Sequence, residues 1–385
     1  LLIAPVPTHP GTTGASTRIR LIADVLRARG HEVHFLHLQQ SLRPPDGALH
    51  RYWGDRLHEV RGLGPRSWLA RGRRKAVRLM AKSLGANVPV DAYFDRAADA
   101  ALRVLLARID FDVVMLSYVF YSKLFEAVPS RTRKVLDTHD VFSDRYRLYR
   151  EHGQAAEFFS TTPAEEAKAL ARADVVVAIQ PEDAAHFRTL TDRTVTVVGH
   201  LAAPVPAAAM AGPLPPEPVV LFVGGPMGIN VHGVRWFIDE VLPAIRRAQP
   251  AAELWLAGGI GRRVPPAPGV RRLGFVADLG DVYRKATVVV NPQQFGTGLS
   301  IKCVEALAHG RPLVTTPCGA RGLDEGANTA FHVGRSAEEF AAHVVGLLRD
   351  PARAAETAAV AAAFAAAYYR SNVDALDAVL QVPAR

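Results

Sequence analysis

Residues 295–310, FGTGLSIKCVEALAHG, put a glycine turn ahead of a helix, with Lys302 one turn in and Glu305 one turn further. The turn exposes backbone N–H groups, a helix N-terminus favours an anion, and Lys302 adds a full positive charge. Gly296, Gly298 and Lys302 therefore predict a diphosphate site. A carboxylate beside a diphosphate is useful when it accepts hydrogen bonds from ribose hydroxyls, so Glu305 points to a sugar nucleotide rather than free phosphate. A lysine in the opening turn of a helix is unfavourable against the macrodipole unless an anion offsets it, which supports the same reading.

The elements that must position these residues are legible. ATVVVNP (286–292) reads as a buried parallel strand, so the turn lies at a strand's carboxyl end, where open α/β sheets take ligands. LLIAPVP (1–7) is an apolar strand, and the loop THPGTTGAS leads into a helix with Ile19, Ile22 and Leu26 on one face. Further strands are read at HEVHFLHL, 111–118, 133–140, 173–180 and 194–200. The stretch 202–218 has six prolines and no periodicity, and reads as a linker. After it, Val234, Phe237, Val241 and Ile245 mark a helix that Pro243 is expected to kink or restart. An alanine-rich stretch over 352–370 and a final helix near 372–381 close the chain.

The glycine turn, lysine and Glu-Ala sequence resembles the donor motif of retaining glycosyltransferases of the GT-B fold, family 4, in the bacterial group with a glycine-any-glycine turn. LFVGGPMGINVHGVRWFIDEVLPAIR (221–246), LWLAGG (254–259) and GFVADLGDVYRKA (274–286) follow in the order of that family. The resemblance implies an α/β protein of two doubly wound Rossmann-like domains facing a cleft. It implies an N-terminal acceptor-side domain over 1–201, the linker over 202–218, a donor-binding domain over 219–352, and C-terminal helices over 353–385 that cross back to the first domain. It also implies transfer of a sugar from a nucleoside diphosphate to a carbohydrate or lipid-linked acceptor, with retention. Cell-surface polysaccharide or glycolipid synthesis is the expected setting.

Two positions depart from that family. Its paired glutamates bracket seven residues, and counting back eight from Glu305 gives Thr297, a hydroxyl without charge. In GGPMGINVHG (224–233) the lysine-equivalent place is His232, and no arginine lies between Gly224 and Gly233. His232 can hydrogen-bond phosphate but is fully charged only when protonated. Gly225 belongs to this loop, and Arg262 or Arg263 is a candidate to compensate. The resemblance places the base near the backbone of Phe275 and Val276. Because of Thr297 and His232, a noncatalytic sugar-nucleotide-binding partner in a polysaccharide assembly complex stays open as an alternative; a sugar-nucleotide epimerase of the same fold is a further alternative, which the motif spacing does not support.

In the first half, the loop Gly11–Ser16, with Gly14, is a candidate to close over phosphates or acceptor, although no dinucleotide-binding fingerprint is present. DTHDVFSDR (137–145) gathers Asp137, His139, Asp140 and Arg145 at a strand end. His139 or Asp140 could orient or deprotonate an attacking hydroxyl, and a turn network is the plainer reading. Glu182 is a weaker companion. Asp110 and Asp112 mimic a metal motif but start a strand instead of ending one, and no cluster has metal-ligand spacing, so neither metal nor cofactor is expected.

The formal charge is +9, and eight of those charges lie in 61–82, RGLGPRSWLARGRRKAVRLMAK, which has no acid. Val77, Met80, Ala81 and Leu84 recur there at helical spacing, as in a basic helix on an anionic membrane surface, and a solvated basic helix fits as well. Nucleic acid is not expected, since no recognition motif accompanies the charge. Cys303 and Cys318 have no zinc or redox spacing, and no apolar run could span a bilayer. The reading is a cytoplasmic protein, peripheral to the inner membrane face. The chain opens at Leu1 in a strand, so a few native residues are expected to precede it, and no signal peptide is expected.

Overall fold

The computed structural model describes residues 1–385 except 12, 40–46, 61–86, 156, 158, 211–217, 277 and 382–385. The whole basic segment 61–82 lies outside the described residues, and so do residues 211–217 of the expected linker.

Short runs rich in Val, Leu and Ile, buried on both faces in the inner strands and more exposed at the sheet edges, build two parallel sheets, as expected where helices cover each face. One holds β1 (Leu2–Ala4), β2 (Phe35–Leu38), β3 (Leu57–Val60), β4 (Val113–Ser117), β5 (Arg133–Asp137), β6 (Val175–Ala178) and β7 (Thr194–Val197), in the order β3-β2-β1-β4-β5-β6-β7. The other holds β8 (Val219–Val223), β9 (Glu253–Ala257), β10 (Val270–Gly274), β11 (Val288–Asn291), β12 (Leu313–Thr315) and β13 (His332–Val333), in the order β10-β9-β8-β11-β12-β13. Every named pairing is parallel. The chain divides into one unit of Leu1–Leu201 with Asn372–Arg385 and another of Ala202–Ser371.

Each sheet is doubly wound, and strand order reverses once in each: between β1 and β4, and between β8 and β11. The carboxyl ends of such strand pairs leave a crevice for ligands, because the connecting helices depart to opposite faces there. The turn at 295–300 follows β11, and GGPMG follows β8, so both glycine loops of the second unit sit at its reversal point.

Burial holds this frame. Val219, Val220, Leu221 and Phe222 of β8 are all buried, as are Phe237, Ile245, Phe340 and Val344 on the helices over them. Each such side chain contributes about 1.5–3 kcal/mol. Pro243 interrupts its helix by a local loosening: Gly228–Trp236 is α-helical, Phe237–Val241 widens to a π turn, and Leu242–Ala248 resumes with the proline in its first turn. A proline without an N–H fits such a bulge with no lost hydrogen bond. The chain's end differs from the two segments expected. Pro351–Leu380 is one 30-residue helix, because no glycine or proline breaks it after Pro351. None of the described helices is long and apolar enough to cross a membrane.

Candidate functional site

In the second unit, two helices begin at the β8/β11 reversal point, Gly228–Trp236 after β8 and Ile301–Ala308 after β11. Gly233 lets them converge. A Cβ there would fall 2.4 Å from the Pro292 carbonyl oxygen, so only glycine allows the first helix to press against the end of β11. The glycine turn is equally constrained: Gly296 and Gly298 have φ of +152° and +72°, and a Cβ at Gly296 would meet the Gln293 amide at 2.4 Å.

A buried polar network fixes the start of the second helix. Asn291 Nδ2 donates to Ser300 Oγ at 2.9 Å, Thr315 Oγ1 donates to Asn291 O at 3.0 Å, and Cys303 Sγ donates to Gly319 O at 3.3 Å. Cys303 is thus a small buried residue of this network, and burial pushes its thiol above the usual range. His309 closes the other end of the helix, its Nδ1 2.7 Å from Glu305 O and its ring stacked on buried Tyr283 at 4.2 Å.

Met227 and Ser300, at the N-cap positions, make no side-chain cap, as is also true of Asp144 and Gln180, whereas Thr13, Thr162 and Ser336 cap their helices. A helix without a side-chain cap forgoes about 1 kcal/mol of stabilisation. Lys302 stands in the first turn of helix Ile301–Ala308, half-buried, and donates from Nζ to Asn230 Oδ1 at 3.0 Å. Burial lowers its pKa from the ordinary lysine value, partly offset by Cys303, Glu305 and Cys318. A Cβ at Gly225 would meet no atom within 4 Å, so that loop has open space above it.

The structure therefore gathers Gly225, His232, Gly296, Thr297, Gly298, Lys302 and Glu305 on neighbouring segments. The His232 ring stands edge-on to Phe295 at 5.3 Å, against the glycine turn. Glu305 is half-buried on the same helix as Lys302 and, after burial, is the largest influence raising the Tyr283 hydroxyl's pKa. Val276 follows β10 half-buried, and beside it Phe275 is 69% exposed. Arg262 and Arg263 are exposed after β9, while an arginine the sequence reading did not single out, Arg321, donates to Gly296 O at 3.0 Å and ties the glycine turn. Asn230 was missed too. Its signal was an asparagine inside a helix, where that residue is a weak former.

In the first unit, Gly14 is the first residue of helix Gly14–Ala28, which Thr13 caps by accepting from Ser16 N at 3.2 Å. The 137–145 cluster separates into two pairs. Asp137 Oδ2 is 3.2 Å from His139 Nε2, and Asp140 accepts from Arg145 at 3.1 Å. The His139 ring is buried and stacks on Tyr118 at 4.2 Å, and both residues hold positive φ, +66° and +75°. Such backbone costs on the order of 1–3 kcal/mol per residue and clusters at functional sites. Asp137 is otherwise engaged by Arg18, a fully buried residue that sequence reasoning passed over. Glu166 accepts from Phe142 N and Ser143 N, both at 2.9 Å, and so shapes this loop. Asp183, next to Glu182, is 5% exposed; burial, with Asp140, Glu182 and Glu166, pushes its carboxyl up to about 7 against one hydrogen bond from Gln180. Asp110 is exposed and paired with Arg131 at 2.9 Å, and Asp112 precedes β4, at the amino end of the sheet. Among the described residues no three metal-ligating side chains converge.

Residues 217–350 match the family described as "Glycosyl transferases group 1". The whole chain superposes on sucrose-phosphate synthase from Thermosynechococcus elongatus with a TM-score of 0.68 at 19% identity, covering 97% of this chain and 95% of that one. The fold is GT-B. HepE from Anabaena, in complex with UDP-glucose, is similar at TM-score 0.63 and 16% identity over 98% of each GT-B chain. In sequence, 139 residues are 24% identical to an "Uncharacterized 44.6 kDa protein in cps region" of Klebsiella pneumoniae, 33% of this chain. That match spans 36% of the relative's length. The match to the glycosyl transferase group 1 model thus lies within the second unit, Ala202–Ser371.

Proposed function

We propose that this protein transfers a sugar from a nucleoside-diphosphate donor to a carbohydrate or lipid-linked carbohydrate acceptor. The observation that carries this reading is the Lys302 ammonium in the first turn of helix Ile301–Ala308, directly behind the positive-φ glycine turn at the β8/β11 strand-order reversal. Backbone N–H groups and a lysine make a fixed positive field for a diphosphate leaving group, and preorganised charge of this kind costs no reorganisation as the sugar departs. Glu305 takes the ribose hydroxyls, Thr297 touches the sugar, and Gly225, His232, Gly296 and Gly298 line the phosphates, with the base at the Val276 backbone. Charge compensation is assigned to these groups, with no metal or cofactor.

On the acceptor side, His139 and Asp140 orient or deprotonate the attacking hydroxyl, and the Gly14 loop closes over reactants. Retention at the anomeric carbon and membership of family 4 are what the resemblance of this segment to that family's donor motif implies. HepE's UDP-glucose complex makes uridine diphosphate sugars the first donors to try, and the Klebsiella relative's cps region favours surface polysaccharide synthesis. The site of action is the inner membrane face, with residues 61–82 as the contact.

The test is a panel of UDP-, GDP-, ADP- and TDP-sugars incubated with purified protein, with and without membrane lipid extract. Release of one nucleoside diphosphate, stimulated by extract, with an α-linked product from an α-linked donor, is expected. Tight donor binding with no release under any acceptor condition would instead make the protein a noncatalytic binder.

A further inference from the structure

Asn230 makes two hydrogen bonds that join the first turn of helix Ile301–Ala308 to the Gly224–Gly225 loop. Its Oδ1 accepts from Lys302 Nζ at 3.0 Å, and its Nδ2 donates to Gly225 O at 3.0 Å. The amide orientation is dictated by its partners: the reverse would set NH2 against an ammonium and oxygen against a carbonyl. The side chain is 7% exposed and packed against the loop, since a Cβ on Gly224 would come within 3.3 Å of its Nδ2.

We propose that Asn230 is a positioning residue, which aims the Lys302 ammonium at the donor diphosphate and registers it against the Gly224–Gly225 loop. The inference rests on the donor-site reading above and extends it to a residue outside the diphosphate motif. Two properties suit asparagine to the place. An amide donates and accepts at once, so one side chain can hold a carbonyl and an ammonium together, which neither a carboxylate nor an aliphatic side chain does. An amide is also neutral, so it holds Lys302 without cancelling the charge that a phosphate needs; an aspartate here would form an ion pair and compete with the ligand.

The experiment is a double-mutant cycle on the full chain, with Kd for UDP, GDP, ADP and TDP measured by titration calorimetry on wild type, Asn230→Ala, Lys302→Ala and the double variant. Melting temperatures identify any variant that fails to fold, in which case Asn230→Ser takes the place of Asn230→Ala. The expected result is about tenfold weaker binding in Asn230→Ala and at most about twofold further loss when the same change is made in Lys302→Ala, because residues that act as a unit are not additive. General damage to the loop would weaken binding equally in both backgrounds, so equal losses overturn the proposal, as does wild-type affinity in Asn230→Ala. Wild-type protein that binds none of the four diphosphates overturns the donor-site reading itself, and this inference with it.

Discussion

Arg18 grips Asp137 in a fork, with Nη2 2.7 Å from Oδ1 and Nε 3.0 Å from Oδ2, and both side chains are almost wholly buried. The guanidinium also donates to Val198 O at 2.9 Å and Gly199 O at 2.8 Å, so one arginine ties helix Gly14–Ala28 to the end of β5 and to the segment after β7. Removing one partner leaves a buried charge uncompensated, and Asp137→Asn is expected to cost about 3–5 kcal/mol. Replacing both with apolar residues is expected to cost less, and urea melts of the single and double variants measure the difference.

The same pair sets an acid dependence. Burial alone would raise the Asp137 carboxyl, but Arg18 and His139 outweigh it and hold the group well below the usual carboxylate range. Its stabilisation is therefore fully present above the unfolded value near pH 4 and is lost as pH falls through the folded value. Wild-type stability is expected to drop below about pH 4 more steeply than that of Asp137→Asn. Parallel slopes in a pH series of melts would count against the pair.

Asp183 carries the opposite sign. Its carboxyl is pushed up to about 7 in the folded protein, so between pH 4 and 7 the native state binds the extra proton and stability falls as pH rises. Asp183→Asn keeps the shape and removes the titration. The variant is expected to be more stable than wild type at pH 8, by about 4 kcal/mol at most, and to have a flatter profile from pH 4 to 7. Calorimetric melts at pH 5 and 8 check this, and identical profiles for both proteins would contradict it.

Gly233 permits the approach of two backbone segments, which leads to a fourth expectation. Gly233→Ala puts a methyl 2.4 Å from the Pro292 carbonyl oxygen, where backbone rather than a flexible side chain must yield. Overpacking of this kind costs about 1–3 kcal/mol. Donor affinity is expected to fall with it, since the shift moves His232 away from Phe295 and the glycine turn. A stable variant with unchanged donor affinity would show that the contact is slack.

Much of the frame after β11 was legible because local chemistry wrote it. The buried strand at 286–292, the glycines at 296 and 298 and the lysine after them each have a backbone or charge requirement that few residue types meet. Asn230, Arg321 and Arg18 were not legible, because their roles come from partners 72, 25 and 119 positions away in sequence. The 137–145 cluster shows the intermediate case. Its residues and strand end could be read, but the division into an Asp137–His139 pair and an Asp140–Arg145 pair depends on Arg18, Tyr118 and Glu166, which come from other elements. The single closing helix, Pro351–Leu380, was read as two because a change in composition near residue 370 looked like a break where no breaker exists.

In the proposed transfer, Lys302 meets the diphosphate of a sugar-nucleotide donor. The most direct measurement compares nucleoside diphosphate release by wild type and Lys302→Ala, across the donor panel with lipid extract, together with donor Kd. Loss of a charge-assisted hydrogen bond of about 1.5–3 kcal/mol predicts donor binding about ten- to a hundredfold weaker, with release falling at least as far. Equal affinity and equal release in the two proteins would contradict the account.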